Sequence, residues 1–182
     1  EGRALLDEIR AVAPLVLDDA SLRPYTEVDA VHADPVDPMP CTDPAMLLTD
    51  FPAEAAELFL AVAGPGSGSP QVLVEVRALG GAYARPPAHP DAFSHRAAGY
   101  SVLAVGVPGT GSVEHAQCLF AALSDWDTGG IWPNFGPPHD ETTARRAYDP
   151  ATLRRLAEVA QSYDPDGVLQ CGEYARLAEP VA

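Results

Sequence analysis

The sequence predicts an α+β fold: an antiparallel β-sheet covered on one face by α-helices. Its strand-like segments alternate between apolar and mixed residues, which is typical of antiparallel sheets with one buried face. Helical segments are interspersed irregularly among few strands, so a regular β–α–β order is not predicted. The chain has 182 residues, of which 47% are hydrophobic. That is enough for one sizeable core, and one domain is the default expectation.

The charge of the chain excludes several classes of partner. All eleven basic residues are arginine, and the formal net charge is −15. Such an acidic surface repels nucleic acid and anionic lipid, so we expect neither as a partner. No apolar run approaches the roughly 20 residues of a membrane helix. Three widely spaced cysteines, Cys41, Cys118 and Cys171, form no C-x-x-C pair, which argues against a disulfide framework or a zinc site and favours the cytoplasm.

Helices are predicted from apolar periodicity and from capping residues. The predicted ranges are residues 2–13, 52–63, 113–126 and a last helix that opens at Asp149-Pro150. We expect Thr49 or Asp50 to cap the second helix and Tyr163 to close the buried stripe of the last. Residues 29–44 contain too much proline for a helix or a central strand, and we expect a surface connection there.

Two strands are predicted, over residues 71–77 and 99–107. In the first, alternate valines beginning at Val72 form an apolar face, and Glu75 and Arg77 lie on the opposite, mixed face. We assign Tyr100 to this mixed face, which the predicted helices leave open. The open face is therefore either wet or covered by something outside the chain. After Gly80-Gly81 the chain is expected to stay extended through Tyr83.

No catalytic set emerges from spacing alone. The five histidines show no i,i+4 pair, so no metal site is predicted. The turn at residues 108–112 has neither a G-x-G-x-x-G nor a Gly-Lys-Ser/Thr pattern, which argues against a phosphate loop. Residues 129–138 place Trp132, Asn134 and Phe135 between glycines and prolines. Such a loop fixes an irregular backbone and presents side chains from it. It is either a functional site or an ordinary turn.

Four ordered blocks carry a family resemblance. They are residues 74–82 (VEVRALGGA), His95-Arg96 with Tyr100 beyond, residues 132–135 (WPNF), and Tyr163-Asp164-Pro165. Each block is weak alone, but the ordered set spans essentially the whole chain. It resembles the C-terminal half of the FAD-linked oxidases of the berberine-bridge-enzyme-like kind, within the vanillyl-alcohol-oxidase/PCMH superfamily. Residues 1–128 would be the substrate-binding domain, and residues 129–182 a berberine-bridge-enzyme-like segment packed on that domain.

The resemblance implies a flavoenzyme of which this chain is one part. The sheet's open face would form a wall of the active site over FAD, which an N-terminal domain of the same protein would mainly hold. Nothing in the sequence resembles that domain's phosphate-binding loop or its flavin-linking histidine. With Glu1 in place of an initiator methionine, the chain is interpreted as a C-terminal fragment that is inactive alone. A small-molecule substrate and a second copy of the chain are the other expected partners.

Site residues follow from the resemblance position by position. Asn134 takes the place of the family's signature asparagine near the flavin, and Trp132 stands where a tyrosine is common. Phe135 occupies the position of the tyrosine that serves as base in several members. Because phenylalanine has no hydroxyl, it cannot relay a proton, and we assign it to substrate contact together with Glu75 and Arg77. The remaining candidates for a base or a substrate contact are Tyr83, Tyr100 and His95.

The sequence is compatible with two functions. One is an FAD-dependent oxidoreductase that transfers a hydride from an alcohol or amine carbon to the flavin, as the resemblance implies. The other is a stand-alone α+β module that binds a ligand or a protein without redox activity.

Overall fold

The computed structural model describes residues 2–31, 37–135 and 141–168 of the chain. The chain divides into two compact units, residues 1–39 and residues 40–182. The predicted boundary at residues 128/129 stays a prediction. In the described residues, none of the helices combines the length and the apolar character that crossing a bilayer requires.

The first unit contains helix α1, Gly2–Arg10, and a 3₁₀ helix, Tyr25–Val31. The predicted first helix is confirmed, although it ends three residues before Ala13. Arg10 Nε lies 2.6 Å from a carboxylate oxygen of Asp18 and ties the end of α1 to the segment after it. No described residue of the two helices is buried.

The second unit is built on a three-stranded antiparallel sheet of order β1-β3-β2. The strands are β1, Ala45–Leu48; β2, Gln71–Ala78; and β3, Tyr100–Gly106. The helices are α2, Ala53–Ala63; α3, Ser112–Ala122; a 3₁₀ helix, Ser124–Trp126; α4, Glu141–Ala147; and α5, Pro150–Tyr163. The predicted α+β class with an antiparallel sheet packed against helices is confirmed.

The main core lies between one face of the sheet and helices α2 and α3. Val102 and Ala104 of β3 are fully buried there with Leu119 of α3. Val76 lies opposite Val102 in the strand register, and it packs against the same cluster. Alternation along β2 and β3 therefore directs one set of side chains into this core and the other set to the second face.

The strand register corrects the placement of Tyr100. Tyr100 lies opposite Ala78, whereas Glu75 and Arg77 lie opposite Leu103 and Ser101. Directly paired residues share a face, so Tyr100 is on the helix-covered side. Its ring centroid is 5.7 Å from that of Phe51. The expectation that Tyr100 shares the open face with Glu75 and Arg77 is wrong.

Two local features of β2 also differ from expectation. The register shifts between Gln71 and Leu73, so Val72 is the extra residue of a bulge. Val72 is 59% exposed for this reason and does not join the apolar face of the later valines. The chain does not stay extended through Tyr83: Gly80 and Gly81 adopt positive φ angles, and the Tyr83 N–H donates to the Gly80 carbonyl in a turn.

The remaining differences concern helix ends and one strand. β1 was not predicted; all four of its residues are buried. Asp50 accepts a hydrogen bond from the N–H of Phe51, and α2 has no side-chain cap. In α5 the predicted cap Asp149 is confirmed, since it accepts from the N–H groups of Ala151 and Thr152. Tyr163 is 81% exposed, so it does not close a buried stripe.

Candidate functional site

An aromatic cluster joins the turn after β2 to the loop after α3. It consists of Tyr83, Phe93, Trp132 and Phe135. The Trp132 Nε1–H donates a 2.9 Å hydrogen bond to the Tyr83 hydroxyl oxygen. The Tyr83 ring lies edge-on to Phe93 at 4.6 Å, and the Trp132 and Phe135 rings are 5.7 Å apart, between centroids. These contacts give the loop carrying Trp132 a defined position against the sheet.

The second face of the sheet meets this cluster in a small cleft. Glu75 and Arg77 of β2 line it together with Trp132 and Phe135, and the floor comes from β1 and β3. The space in the cleft is about 10 Å³, which is enough for one water molecule. As formed by the described residues, this cleft is therefore too small to hold an organic substrate alone.

Two opposite charges lie side by side in this cleft. The Arg77 Nε is 2.6 Å from a carboxylate oxygen of Glu75, and Glu75 is the more buried of the two. Both side chains point to the second face because they are two residues apart on one strand. A charged pair beside two aromatic rings can orient a polar group of a ligand while the rings contact its apolar part.

Arg96 fixes the turn that carries Tyr83. Its Nη1 donates to the carbonyl oxygens of Tyr83, at 2.8 Å, and of Arg85, at 3.2 Å. Its guanidinium lies 5.0 Å from the centroid of the Phe93 ring and pairs with the Asp91 carboxylate. The hydrogen bond from Arg96 lowers the pKa of Asp91. Arg96, whose role sequence reasoning missed, thus holds both the backbone and the ring that flank Tyr83.

Burial governs the protonation of Tyr83. It raises the pKa of the phenol, and the hydrogen bond from Trp132 and the charge of Arg96 oppose that rise only in part. The hydroxyl is accordingly protonated at neutral pH, and it donates at 3.4 Å to the backbone carbonyl of His95. In this state Tyr83 can donate or accept a hydrogen bond, but it is a poor base.

His95 is engaged in a structural contact. Its Nε2 is 3.0 Å from the carbonyl oxygen of Ala147, so Nε2 carries the proton and donates, because a carbonyl can only accept. The ring also packs against the backbone of Gly130, where an added Cβ would lie 2.5 Å from the ring. His95 thereby connects the loop before β3 to the end of α4. Its assignment as a base or substrate contact stays a prediction.

Helix α4 holds the start of the loop that carries Trp132 and Phe135, called the aromatic loop below. The Ile131 N–H donates to the Arg146 carbonyl at 3.2 Å, and the Arg146 Nε donates to the Gly129 carbonyl at 2.9 Å. Ile131 is fully buried in a small second core with Ala144 and Leu153. The start of the loop is therefore anchored from both backbone and side chain, whereas Asn134 near its tip is exposed.

A second anchoring contact was also missed from the sequence. The Ser94 hydroxyl donates to an Asp149 carboxylate oxygen at 2.9 Å and accepts from the Asp149 N–H at 3.1 Å. Hydrogen bonds from Thr152, Ser94 and Ala151 lower the pKa of Asp149 to about 2. Asp149 was predicted only as a cap, and nothing in the spacing of 55 residues indicated Ser94 as its partner.

Of the predicted site residues, the structure brings five together: Glu75, Arg77, Tyr83, Trp132 and Phe135. The backbone carbonyl of His95 accepts a hydrogen bond from Tyr83, and Asn134, two residues after Trp132, is exposed. Tyr100 is on the other side of the sheet. Their proposed roles stay predictions. Among the described residues, no three His, Cys, Asp or Glu side chains converge as metal ligands.

Comparisons with known proteins give a likeness of fold. No protein-family model matches the chain, and no curated protein sequence matches it. Among solved structures, the chain is similar to a variant of BBE-like 1 from Physcomitrella patens, with a TM-score of 0.53 and 17% sequence identity. The match covers 77% of this chain and 31% of that chain. The chain thus shares its fold with part of a BBE-like protein and spans about a third of that protein's length.

Proposed function

We propose that the chain forms the substrate-side wall of a larger FAD-dependent oxidoreductase. The main observation in support is that Glu75 and Arg77, on the sheet's second face, line one cleft with Trp132 and Phe135. Four of the residues selected from the family resemblance as substrate or flavin contacts thus meet at one place. The fold likeness to part of a BBE-like protein supports the same interpretation. Because the cleft is too small to hold an organic substrate alone, we propose that an FAD-holding domain of the same protein completes the site.

The described residues fit one part of a flavin. Trp132 and Phe135 offer aromatic surface to a planar ring system, and the ion pair of Glu75 and Arg77 offers polar groups beside it. The diphosphate of FAD calls for a cradle of backbone N–H groups or several positive charges. Among the described residues, Arg77 is the one cation that lines the cleft, and it is paired with Glu75. Arg96, which lies against the Phe93 ring, is paired with Asp91. We therefore propose that this chain contacts the ring system of the flavin and that another domain binds the diphosphate.

The chain's own residues would bind and orient a small organic substrate. When bound, the flavin would accept a hydride from an alcohol or amine carbon of that substrate. Arg77 would attract a substrate anion or carbonyl, and Glu75 would accept hydrogen bonds from a hydroxyl or amine. Trp132 and Phe135 would exclude water from the reacting carbon.

Removal of a proton from the substrate requires a base. Phe135 cannot act as base, and Tyr83 has a raised pKa and a protonated hydroxyl. We propose that Tyr83 sets the position of Trp132 through their hydrogen bond. Glu75 is then the carboxylate in the cleft that could accept a proton.

The competing function is a stand-alone α+β module that binds a ligand or protein. Purifying the product of the complete reading frame from its native source distinguishes the two functions. A yellow protein with flavin absorbance and a mass at least about twice that of this chain supports the oxidoreductase. A colourless protein with the mass of this chain, and no FAD-domain sequence upstream in the frame, supports the module.

A further inference from the structure

In the described part of the chain, strand β2 forms an unpaired edge of the sheet. It pairs with β3 on one side, and no other strand pairs with it within residues 2–31, 37–135 and 141–168. At eight residues it is the longest strand of the sheet, and Val72 and Leu73 at its start are 59% and 49% exposed. A long edge with apolar side chains is a template for pairing with another strand.

The hydrogen-bond pattern shows which backbone groups of this edge are available. The Leu79 N–H donates to the Gly99 carbonyl directly opposite it. In an antiparallel ladder, alternate residues bond to the same neighbour, so Arg77 and Glu75 also face β3. The N–H and C=O groups of Val74, Val76 and Ala78 therefore point away from the sheet.

We propose that two copies of the chain pair antiparallel through this edge, with the two-fold axis at Val76. In that register Val76 meets Val76 of the second copy, and Val74 meets Ala78. These are the residues whose backbone groups point outward, so both pairs exchange hydrogen bonds. The two three-stranded sheets become one continuous sheet of six strands, a common size.

The charges on the edge fit this register. A two-fold axis at Val76 places Glu75 directly opposite Arg77 of the second copy, twice per dimer. These pairs are the non-hydrogen-bonded ones, in which side chains approach most closely. The two side chains already meet at 2.6 Å within one chain, so pairing gives each a second partner of opposite sign. In the same register Leu73 lies opposite Leu79.

The charge of the whole chain opposes association, since each copy carries −15. At about 0.15 M salt, repulsion beyond roughly 8 Å is screened, whereas contacts at the strand edge are not. The dimer is therefore expected to strengthen from low to physiological salt, in contrast to a dimer held by long-range attraction. The proposal does not depend on the proposed flavin function.

The test is sedimentation equilibrium of the 182-residue chain at physiological salt. We expect a monomer–dimer equilibrium. Arg77→Glu should raise the dissociation constant about tenfold, because it replaces two opposite-charge pairs with two like-charge pairs. The exchange Glu75→Arg with Arg77→Glu should restore it to within about threefold. Arg154→Glu, an equal charge change on the exposed face of α5, is the control and should have little effect.

Ala78→Pro tests the backbone part of the proposal. Ala78 is exposed and its N–H points outward, so proline removes a bond of the dimer but none of the β2–β3 ladder. We expect a monomer with an unchanged circular dichroism spectrum. A wild-type chain that is monomeric at all concentrations would overturn the proposal. So would a dimer that tolerates both Arg77→Glu and Ala78→Pro.

Discussion

The indole N–H of Trp132 donates a 2.9 Å hydrogen bond to the phenolic oxygen of Tyr83, across 49 residues of sequence. Tyr83 belongs to the turn after β2, and Trp132 belongs to the loop after the 3₁₀ helix that ends at Trp126. Because the Arg96 guanidinium holds the Tyr83 carbonyl and α4 holds the start of the loop, this bond connects two anchored segments. It places Trp132 beside Glu75 and Arg77.

Tyr83→Phe should loosen the aromatic loop without unfolding the protein. The substitution keeps the ring contact with Phe93 but leaves the half-buried indole N–H without its acceptor, which costs about 1 kcal/mol. We expect that loss in denaturant unfolding, together with a change in tryptophan fluorescence. Tyr163→Phe is the matched control because Tyr163 is 81% exposed. Equal stabilities for the two variants would show that the bond contributes nothing.

Gly130→Ala should destabilise the protein through His95. The added Cβ would lie 2.5 Å from Cε1 and Nδ1 of the imidazole, so the ring must move away from the Ala147 carbonyl. We expect a loss of about 1–3 kcal/mol.

A double-mutant cycle that combines Gly130→Ala with His95→Ala isolates this contact. In the double variant the added methyl group meets no ring, so the two effects should be less than additive by at least about 0.5 kcal/mol. Gly2→Ala is the control, since nothing lies within 4 Å of its Cβ position. Full additivity of the Gly130 and His95 substitutions would contradict the contact.

Asp149 should make the stability of α5 depend on pH. Its pKa is about 2 in the folded protein, against an ordinary value of 3.8. Because the folded-state pKa is lowered, its stabilising contribution is present above about pH 4 and is lost as the pH falls toward 2. Asp149 is exposed, so solvent screening limits the contribution to that of an ordinary cap, about 1 kcal/mol.

Two substitutions at Asp149 separate capping from ionisation. Asp149→Ala should cost about 1 kcal/mol at neutral pH and progressively less below pH 4. Asp149→Asn keeps an oxygen that accepts from the Ala151 and Thr152 N–H groups but does not titrate, so its cost should be smaller. Thermal unfolding between pH 2 and 7 measures both; a constant difference between wild type and Asp149→Ala would refute the pH dependence.

The parts of the fold that follow local rules were predicted from the sequence. Alternation along β2 placed Val74 and Val76 on the core side, and Asp149-Pro150 marked the start of α5. Alternation along β3 puts Tyr100 on the same face as Val102 and Ala104. Which face of β3 joins Glu75 depends on the pairing register, and a single strand does not determine that register. Tyr100 was misplaced for this reason.

Other parts depend on contacts that are distant in sequence. β1 is a four-residue apolar run, and such runs do not distinguish a buried strand from a helix by periodicity. Its burial comes from pairing with β3 and from the bridge between Leu48 and Asp127. The hydrogen bond from Trp132 to Tyr83 and the Ser94–Asp149 pair were likewise beyond local rules. The sequence predicted four residues that line the cleft, while the floor from β1 and β3 and the geometry required the tertiary structure.

The most direct test of the central claim is the visible absorption spectrum of the protein purified from the complete reading frame, with and without Trp132. We expect a flavin spectrum in the wild type and a shift of its bands in Trp132→Ala, because the indole would lie beside the ring system. Trp126→Phe, on the helix-covered side of the sheet, should leave the bands unchanged. A colourless protein, or a flavin spectrum that Trp132→Ala leaves unaltered, would contradict the assignment of this face to the flavin.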